Sequence, residues 1–344
     1  MPNSNNASAE KNTNEVINVD KDFASNLDQA IAAANDGYTI LLGKSIYTTS
    51  GINLDKDITI DGYRGKTIIK GEGATDSIIT VNPEASGSTV QDVIITNGNN
   101  GINVKEATNV TLENLDIHHI GIDKPIRDGQ NNIAINLTGA EGFKILDSEI
   151  SDIGRKGISI NDTDGGIVSG ITLEDINLEA EHSQSFDAAG IKLFNTNDVT
   201  ISDNKLSGIN AFNIWNDITS NTSIYGNEIT RVGEDFLAPD YNKNVGLAGI
   251  YNEKSYESVV DNNIVTSTKD FLAFDATEFT TKTMKLGDNN DFSSMEINTR
   301  DYWANEKLET LVAITEDPDA ADFSLFEDDF YNGGTFGGDT TGGT

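Results

Sequence analysis

The chain of 344 residues contains no cysteine, only three histidines and five prolines, and just 23 basic side chains against 56 acidic ones, a formal charge of −33. Without cysteine, neither a disulfide framework nor a thiolate metal site can form. With so few cations, the overall field repels a nucleic-acid backbone, which excludes that class of partner. No run approaches the roughly 18 to 20 consecutive apolar residues of a membrane helix, and Met1 to Lys11 lacks the apolar core of a signal peptide. The chain as written therefore reads as soluble, with no membrane insertion. Apolar residues are scarce too, at 36%. Disorder does not follow, because Ile, Val and Leu recur in short, evenly spaced strings.

Those strings form a repeat. Six segments align: Thr111–Ile117, Lys144–Ile150, Thr172–Leu178, Thr200–Leu206, Ser223–Ile229 and Ser258–Ile264, each apolar at its second and seventh positions. The second-position residues Leu112, Ile145, Leu173, Ile201, Ile224 and Val259 recur in steps of about 33, 28, 28, 23 and 35 residues, the spacing of stacked solenoid coils with insertions. Between the two apolar positions lies a polar corner: Asn114, Asp147, Asp175, Asp203, Gly226, Asp261. Such residues accept the left-handed backbone of a tight turn. Asn204, Asn227 and Asn262 share one phase and suggest an asparagine ladder.

A second strand per coil shows period-two alternation, the mark of a half-buried strand. It places Ile133, Ile135, Ile158, Ile160, Ile191, Leu193, Phe212, Ile214 and Ile250 inward. Asn136, Asn161, Lys192 with Phe194, Asn213 with Trp215, and Tyr251 face outward. Short strands repeated without intervening helices predict an all-β fold, a parallel β-helix. Ahead of it, Ser25 is placed to cap a helix through Leu27, Ala30, Ile31 and Ala34, ending at Gly37 and closing the open end of the stack. The stretch from Ala30 to Leu42, followed by Gly43, Tyr47 and Ile58-Thr59-Ile60-Asp61-Gly62, resembles the opening of the pectate-lyase-like superfamily of right-handed β-helix proteins. That resemblance covers most of the chain. It implies a right-handed parallel β-helix and leaves the function open, since lyases, epimerases, hydrolases, esterases, tailspikes and adhesins share the fold. The expected organisation is a disordered segment 1–15, a β-helix domain 16–330 and a Gly/Thr-rich tail 331–344. Asp322-Phe323-Ser324-Leu325 resembles the closing strand that follows the final coil in many such enzymes.

The outward row brings Phe194, Trp215 and Tyr251 into line on successive coils. Exposed aromatics call for a cover: either they line a groove, where flat rings beside amides suit sugar faces, or the protein's own loops lie over them. The long segments 121–131, 179–189 and 231–246 all enter this strand set, and insertions on one side of a solenoid build its binding face. They also gather cations: Lys124 and Arg127, with Arg155 and Lys156 preceding the strand between and Lys192 on the next. A cationic patch beside aromatics fits an acidic, uronic-acid polysaccharide as the partner. Removing the proton next to a carboxylate requires that carboxylate to be neutralised and a base to stand at the carbon. β-Elimination by a lyase and C5 epimerisation share that step. Lys192 is the candidate neutraliser or base, His182 and Tyr251 the proton-transfer candidates, and Arg155 a further catalytic cation. Asn136, Asn161, Phe194, Asn213, Trp215, Arg127 and Lys156 are the binding candidates. A non-catalytic glycan binder or adhesin is the main alternative. A hydrolase using paired carboxylates, tested first at Asp187 and Asp240, is the other. Each of these places the protein outside the cell, secreted or on the surface.

Family motifs transfer no residues. Where alginate C5-epimerases carry a Tyr-Gly-Phe-Asp-Pro-His-like strand, this chain has Asn132-Ile133-Ala134-Ile135-Asn136. Asn195-Thr196-Asn197-Asp198 is only superficially similar to a polygalacturonase signature, because it lies in the repeat's turn and lacks the acidic partner pair. His118 and His119 read as corner residues. Calcium is the one cofactor to consider: Asp162-Thr163-Asp164-Gly165 and the stretch 317–328 offer oxygen ligands, without an EF-hand pattern.

Overall fold

A computed structural model of the chain describes residues 15–72, 76–122, 132–177, 188–231, 248–267, 272–276, 284–292 and 296–299. The expected tail 331–344, the closing strand Asp322–Leu325 and all of the segment 1–15 except Glu15 lie outside the described residues.

The strands form three ladders in which every pairing is parallel and joins one coil to the next. The first ladder runs through Ile102–Lys105, Ile133–Thr138, the opening of Lys156–Ser169 and Ala189–Ser202, then Phe212–Ser220 and Ala248–Tyr256. The second ladder includes Thr111–Glu113, Glu141–Leu146, the ends of the two long strands, Ser223–Tyr225 and Val259–Asp261. The third is a nine-stranded sheet that includes Asp116–Ile120, Glu149–Ile153, Thr172–Ile176 and Lys205–Ile209. The 14-residue strands Lys156–Ser169 and Ala189–Ser202 pass through a corner from the first ladder into the second.

Equivalent apolar residues stack between coils. Ile102, Ile135, Ile158, Ile191, Ile214, Ile250 and Phe274 make one column, paired in register and fully buried. Each buried isoleucine contributes about 1.5–3 kcal/mol relative to an exposed one. The helix expected ahead of the coils spans Leu27–Ala33, with Leu27, Ala30 and Ile31 buried in the same core. Its N-cap is Asn26 rather than Ser25: the Asn26 side chain accepts the Gln29 N–H, whereas Ser25 has φ 67° and its hydroxyl donates to Asp20. Lys56 Nζ serves the other end, donating to the carbonyls of Ala32 and Ala34 at 2.9 and 2.7 Å.

Three registers differ from expectation. The third repeat segment is Ile167–Leu173, since Lys144 pairs with Ile167 and Ile167 with Thr200. The last begins at Val259, which pairs with Ser223. The left-handed corner column is therefore Asp92, Asn114, Asp147, Gly170, Asp203, Gly226 and Asn262, all at positive φ; Asp175 belongs to a second such corner with His119 and Asp152, and Asp261 is a strand residue. The asparagine ladder is correspondingly Asn204, Asn227, Asn263 and Asn290, not Asn262, with side-chain bonds of 2.9, 2.9 and 3.0 Å.

The third difference shapes the functional face. Along the first ladder the Cα pairing skips one residue per coil: Ala134, Gly157, Gly190 and Asn213 have no register partner, while the residues on either side do. This bulge column points inward. A Cβ at Gly157 would lie 2.3 Å from the core side chain of Leu173, and one at Gly190 would lie 3.1 Å from Leu206. Two consecutive residues, 213 and 214, therefore face the core, and Phe212 is turned to the outer side.

Candidate functional site

The outer side of the first ladder carries two columns in register. One runs Asn103, Asn136, Ser159, Lys192, Trp215, Tyr251; the other runs Lys105, Thr138, Asn161, Phe194, Asp217, Glu253. Coils repeat about every 4.8 Å, so side chains on neighbouring rungs touch. Lys192, expected to face outward, does so under cover: it is 9% exposed, with Nζ 3.6 Å above the Trp215 ring centroid and 5.7 Å from that of Phe194. An ammonium over an indole face is held in place by the ring quadrupole. Trp215 packs edge-on against Tyr251 at 5.9 Å, and Tyr251 stacks on Phe212 at 4.4 Å and 12°. The Tyr251 hydroxyl donates toward Glu253 Oε2 at 3.4 Å.

Lys192, Trp215 and Tyr251 thus share one column, whereas Phe194, expected in line with the other two rings, stands in the second column opposite Asp217, and Phe212 joins the rings against expectation. On the N-terminal side an amide chain continues the face. Asn161 Nδ2 donates to Asn136 Oδ1 at 3.3 Å and to Ser159 Oγ at 3.2 Å, and Asn136 Nδ2 donates to Asn103 Oδ1 at 2.9 Å. Asn161 is the rung beside Phe194. Lys156 is buried, three residues upstream of Ser159 and two coils before Phe212 in the same register, and half-buried Arg155 precedes it. Asn213 departs from expectation. It occupies the inward bulge column, is fully buried, and neither its Nδ2 nor its Oδ1 has a hydrogen-bond partner among the described residues. It cannot touch a ligand on the outer face. His182, Arg127, Lys124, Asp187 and Asp240 lie outside the described residues, as do the long segments 123–131, 178–187 and 232–247 that lead into this ladder.

Two acids on the face were not singled out from the sequence. Asp217 and Glu253 pair in register on adjacent coils, Asp217 beside Phe194 and Glu253 beneath Tyr251. Carrying the alternation two residues beyond Trp215 and Tyr251 would have found both.

Of the calcium candidates, the stretch 317–328 lies outside the described residues, and Asp162 and Asp164 have structural work. Asp162 Oδ1 accepts from Asn195 at 2.6 Å and Asp164 Oδ1 from Asn197 at 3.1 Å, cross-coil bonds at an exposed corner. Among the described residues no group of three or more acids or histidines could hold a metal ion. His118 and His119 sit at a third-ladder corner, with His118 Nδ1 2.8 Å from Asp116 and His119 Nε2 3.3 Å from Asp152.

Residues 133–298 match the family model described as "Right handed beta helix region". No curated protein sequence matches the chain. Among solved structures, an alginate lyase from Paenibacillus sp. str. FPU-7 superposes with a TM-score of 0.56 at 14% identity, covering 79% of this chain and 94% of the lyase. The enzymatically active domain of tailspike protein 2 of bacteriophage CBA120 gives 0.54 at 12% identity, covering 75% of this chain and 44% of that one. The Dettilon tailspike protein gives 0.53 at 14%, covering 82% and 68%. At these identities the likeness concerns the fold. Together with the coil-by-coil register and the matched region 133–298, it shows the fold to be a right-handed parallel β-helix.

Proposed function

We propose that this protein acts outside the cell on an acidic polysaccharide, bound across the first-ladder face, and removes the proton next to a uronate carboxylate. The observation that carries the reading is the Lys192 ammonium clamped 3.6 Å above Trp215, with Tyr251 on the next coil. A fixed cation beside flat rings offers both things a uronate sugar presents, a carboxylate to neutralise and a ring face to stack. Lys192 then serves as neutraliser. Clamped over the indole, its ammonium holds the carboxylate and stabilises the enolate-like charge that develops when the neighbouring C–H bond breaks. Tyr251 is the group for proton transfer, with Glu253 placed to take up the phenolic proton. If the C–O bond at the next carbon then breaks and its oxygen is protonated, the outcome is β-elimination. If a proton returns to the opposite face, it is epimerisation. The alginate lyase likeness supports a glycan-active fold and does not choose between these outcomes.

A second reading rests on the Asp217–Glu253 pair. Adjacent rungs about 4.8 Å apart lie near the roughly 5–5.5 Å separation of carboxyl groups in retaining glycosidases. Products separate the readings: ultraviolet absorbance of an unsaturated sugar indicates a lyase, reducing ends without absorbance indicate a hydrolase, and retention in a polysaccharide gel with neither indicates a binder. Lys192→Ala is expected to abolish turnover with circular dichroism unchanged. Trp215→Ala is expected to weaken glycan binding by about 1 kcal/mol. Full turnover by folded Lys192→Ala protein would remove Lys192 from the mechanism.

A further inference from the structure

The face is not uniform in charge along its length. Lys156 and Lys192 lie on two neighbouring coils, and Asp217 and Glu253 lie on the two coils that follow. Lys156, Lys192 and Asp217 are 7, 9 and 8% exposed, so packing holds these groups in place. Trp215 sits at the change of sign, beneath the Lys192 ammonium and two residues before Asp217 on its own strand. With coils about 4.8 Å apart, the sign reverses within the Debye length of roughly 8 Å at physiological salt. A bound polymer therefore feels both signs at once. What matters is the order of charge along the axis, which holds whether or not each group has a partner of its own.

A chain with a carboxylate on every sugar, lying along this ladder, brings a like charge to the Asp217–Glu253 rungs whenever another of its carboxylates meets Lys192. Like-charge juxtaposition is unfavourable. Sugar hydroxyls at the same rungs would instead donate to those carboxylates in charge-assisted hydrogen bonds. We infer that the groove selects a glycan of mixed charge, with a uronate residue at Lys192 and Trp215 beside a neutral, hydroxyl-rich residue at Asp217 and Glu253. This rests on the acidic-glycan reading above and narrows it.

The test holds the sugar backbone constant and varies its charge. The affinity of the full chain is measured for polygalacturonate and for polymannuronate, each as the fully charged polymer, with half of its carboxyl groups methyl-esterified, and fully esterified. On at least one backbone the half-esterified polymer is expected to bind about fivefold more tightly than the fully charged one at low salt, a gap that closes as salt rises. The double variant Asp217→Asn with Glu253→Gln is expected to erase that preference by tightening the fully charged polymer. Glu253→Gln alone, at a half-buried position, serves if the double variant fails to fold. A fully charged polymer that binds at least as tightly as the half-esterified one overturns the inference and leaves the acidic-glycan reading standing. So does a preference for full charge that appears only with calcium, because the two acids would then be holding the cation. If the fully esterified polymers bind as well as the others, or none binds, the acidic-glycan reading itself fails.

Discussion

Asn213 is a polar side chain in a column otherwise made of glycine and alanine: Ala134, Gly157 and Gly190 precede it on successive coils. A buried polar group left without a partner costs about 1–3 kcal/mol. Asn213→Ala is therefore expected to be at least as stable as the natural protein in urea unfolding, and to bind glycan unchanged; a loss above about 2 kcal/mol would show that the amide is satisfied. Asp57 is a second residue whose surroundings work against it. Burial raises its carboxyl above the ordinary value, and nearby Asp36 adds to the shift. A raised carboxyl favours folding fully below the unfolded value, and that contribution is lost as pH climbs through the folded value. Asp57→Asn should accordingly raise the melting temperature at neutral pH and leave it unchanged well below the carboxylate range. The backbone bond from residue 57 to Asp36 Oδ1 does not depend on the substituted group. An equal shift at both pH values would assign the effect to something other than ionisation.

Among the elements, the buried asparagine ladder ties four coils together. The Oδ1 atoms of Asn227, Asn263 and Asn290 each accept from both the backbone N–H and the side-chain Nδ2 of the preceding asparagine, and that of Asn204 accepts from the Ile171 N–H. Asn227→Ala takes the acceptor away from the Asn204 backbone N–H and from one N–H of its amide, while the Asn263 oxygen keeps only the backbone N–H of residue 227, at about 1–3 kcal/mol per stranded buried group. Chemical denaturation should show that loss without a change in the strand signal, whereas a loss below about 0.5 kcal/mol would mean that the corner re-satisfies itself. The existence of this ladder was legible from Asn204 and Asn227, because hydrophobic spacing repeats with the coils. Its third rung was not, because Asn262 and Asn263 are adjacent and only the backbone decides which one turns inward. The segment around Gly170 was misaligned for a related reason. Glycine there takes the left-handed position that aspartate or asparagine takes on most other coils, while Asp175 supplies an acidic corner of the other kind five residues on. At the site, alternation located Lys192, Trp215 and Tyr251 but misplaced Phe212 and Asn213, since one unpaired residue per coil reverses the period-two reading on its N-terminal side.

For the whole molecule, the charge of −33 has a conformational origin as much as an electrostatic one. Asp92, Asp147, Asp152, Asp162, Asp175, Asp198 and Asp203 all occupy left-handed corner positions, where a short acceptor side chain lowers the backbone cost. The accumulated self-repulsion opposes the compact state and is screened by salt. The melting temperature should therefore rise between about 20 mM and 1 M sodium chloride; a flat or falling profile would show that local pairing already neutralises the corners. The direction of the asparagine ladder bears on how such a molecule is made. Synthesis delivers coils from the N-terminal end, and every ladder bond donates toward the coil that comes later. A chain leaving the ribosome thus carries one unfinished corner at its growing edge, the two N–H donors of its newest asparagine waiting for an oxygen not yet translated. Asn290, whose Nδ2 donates to the carbonyls of Val260 and Gly287, is the last such rung among the described residues.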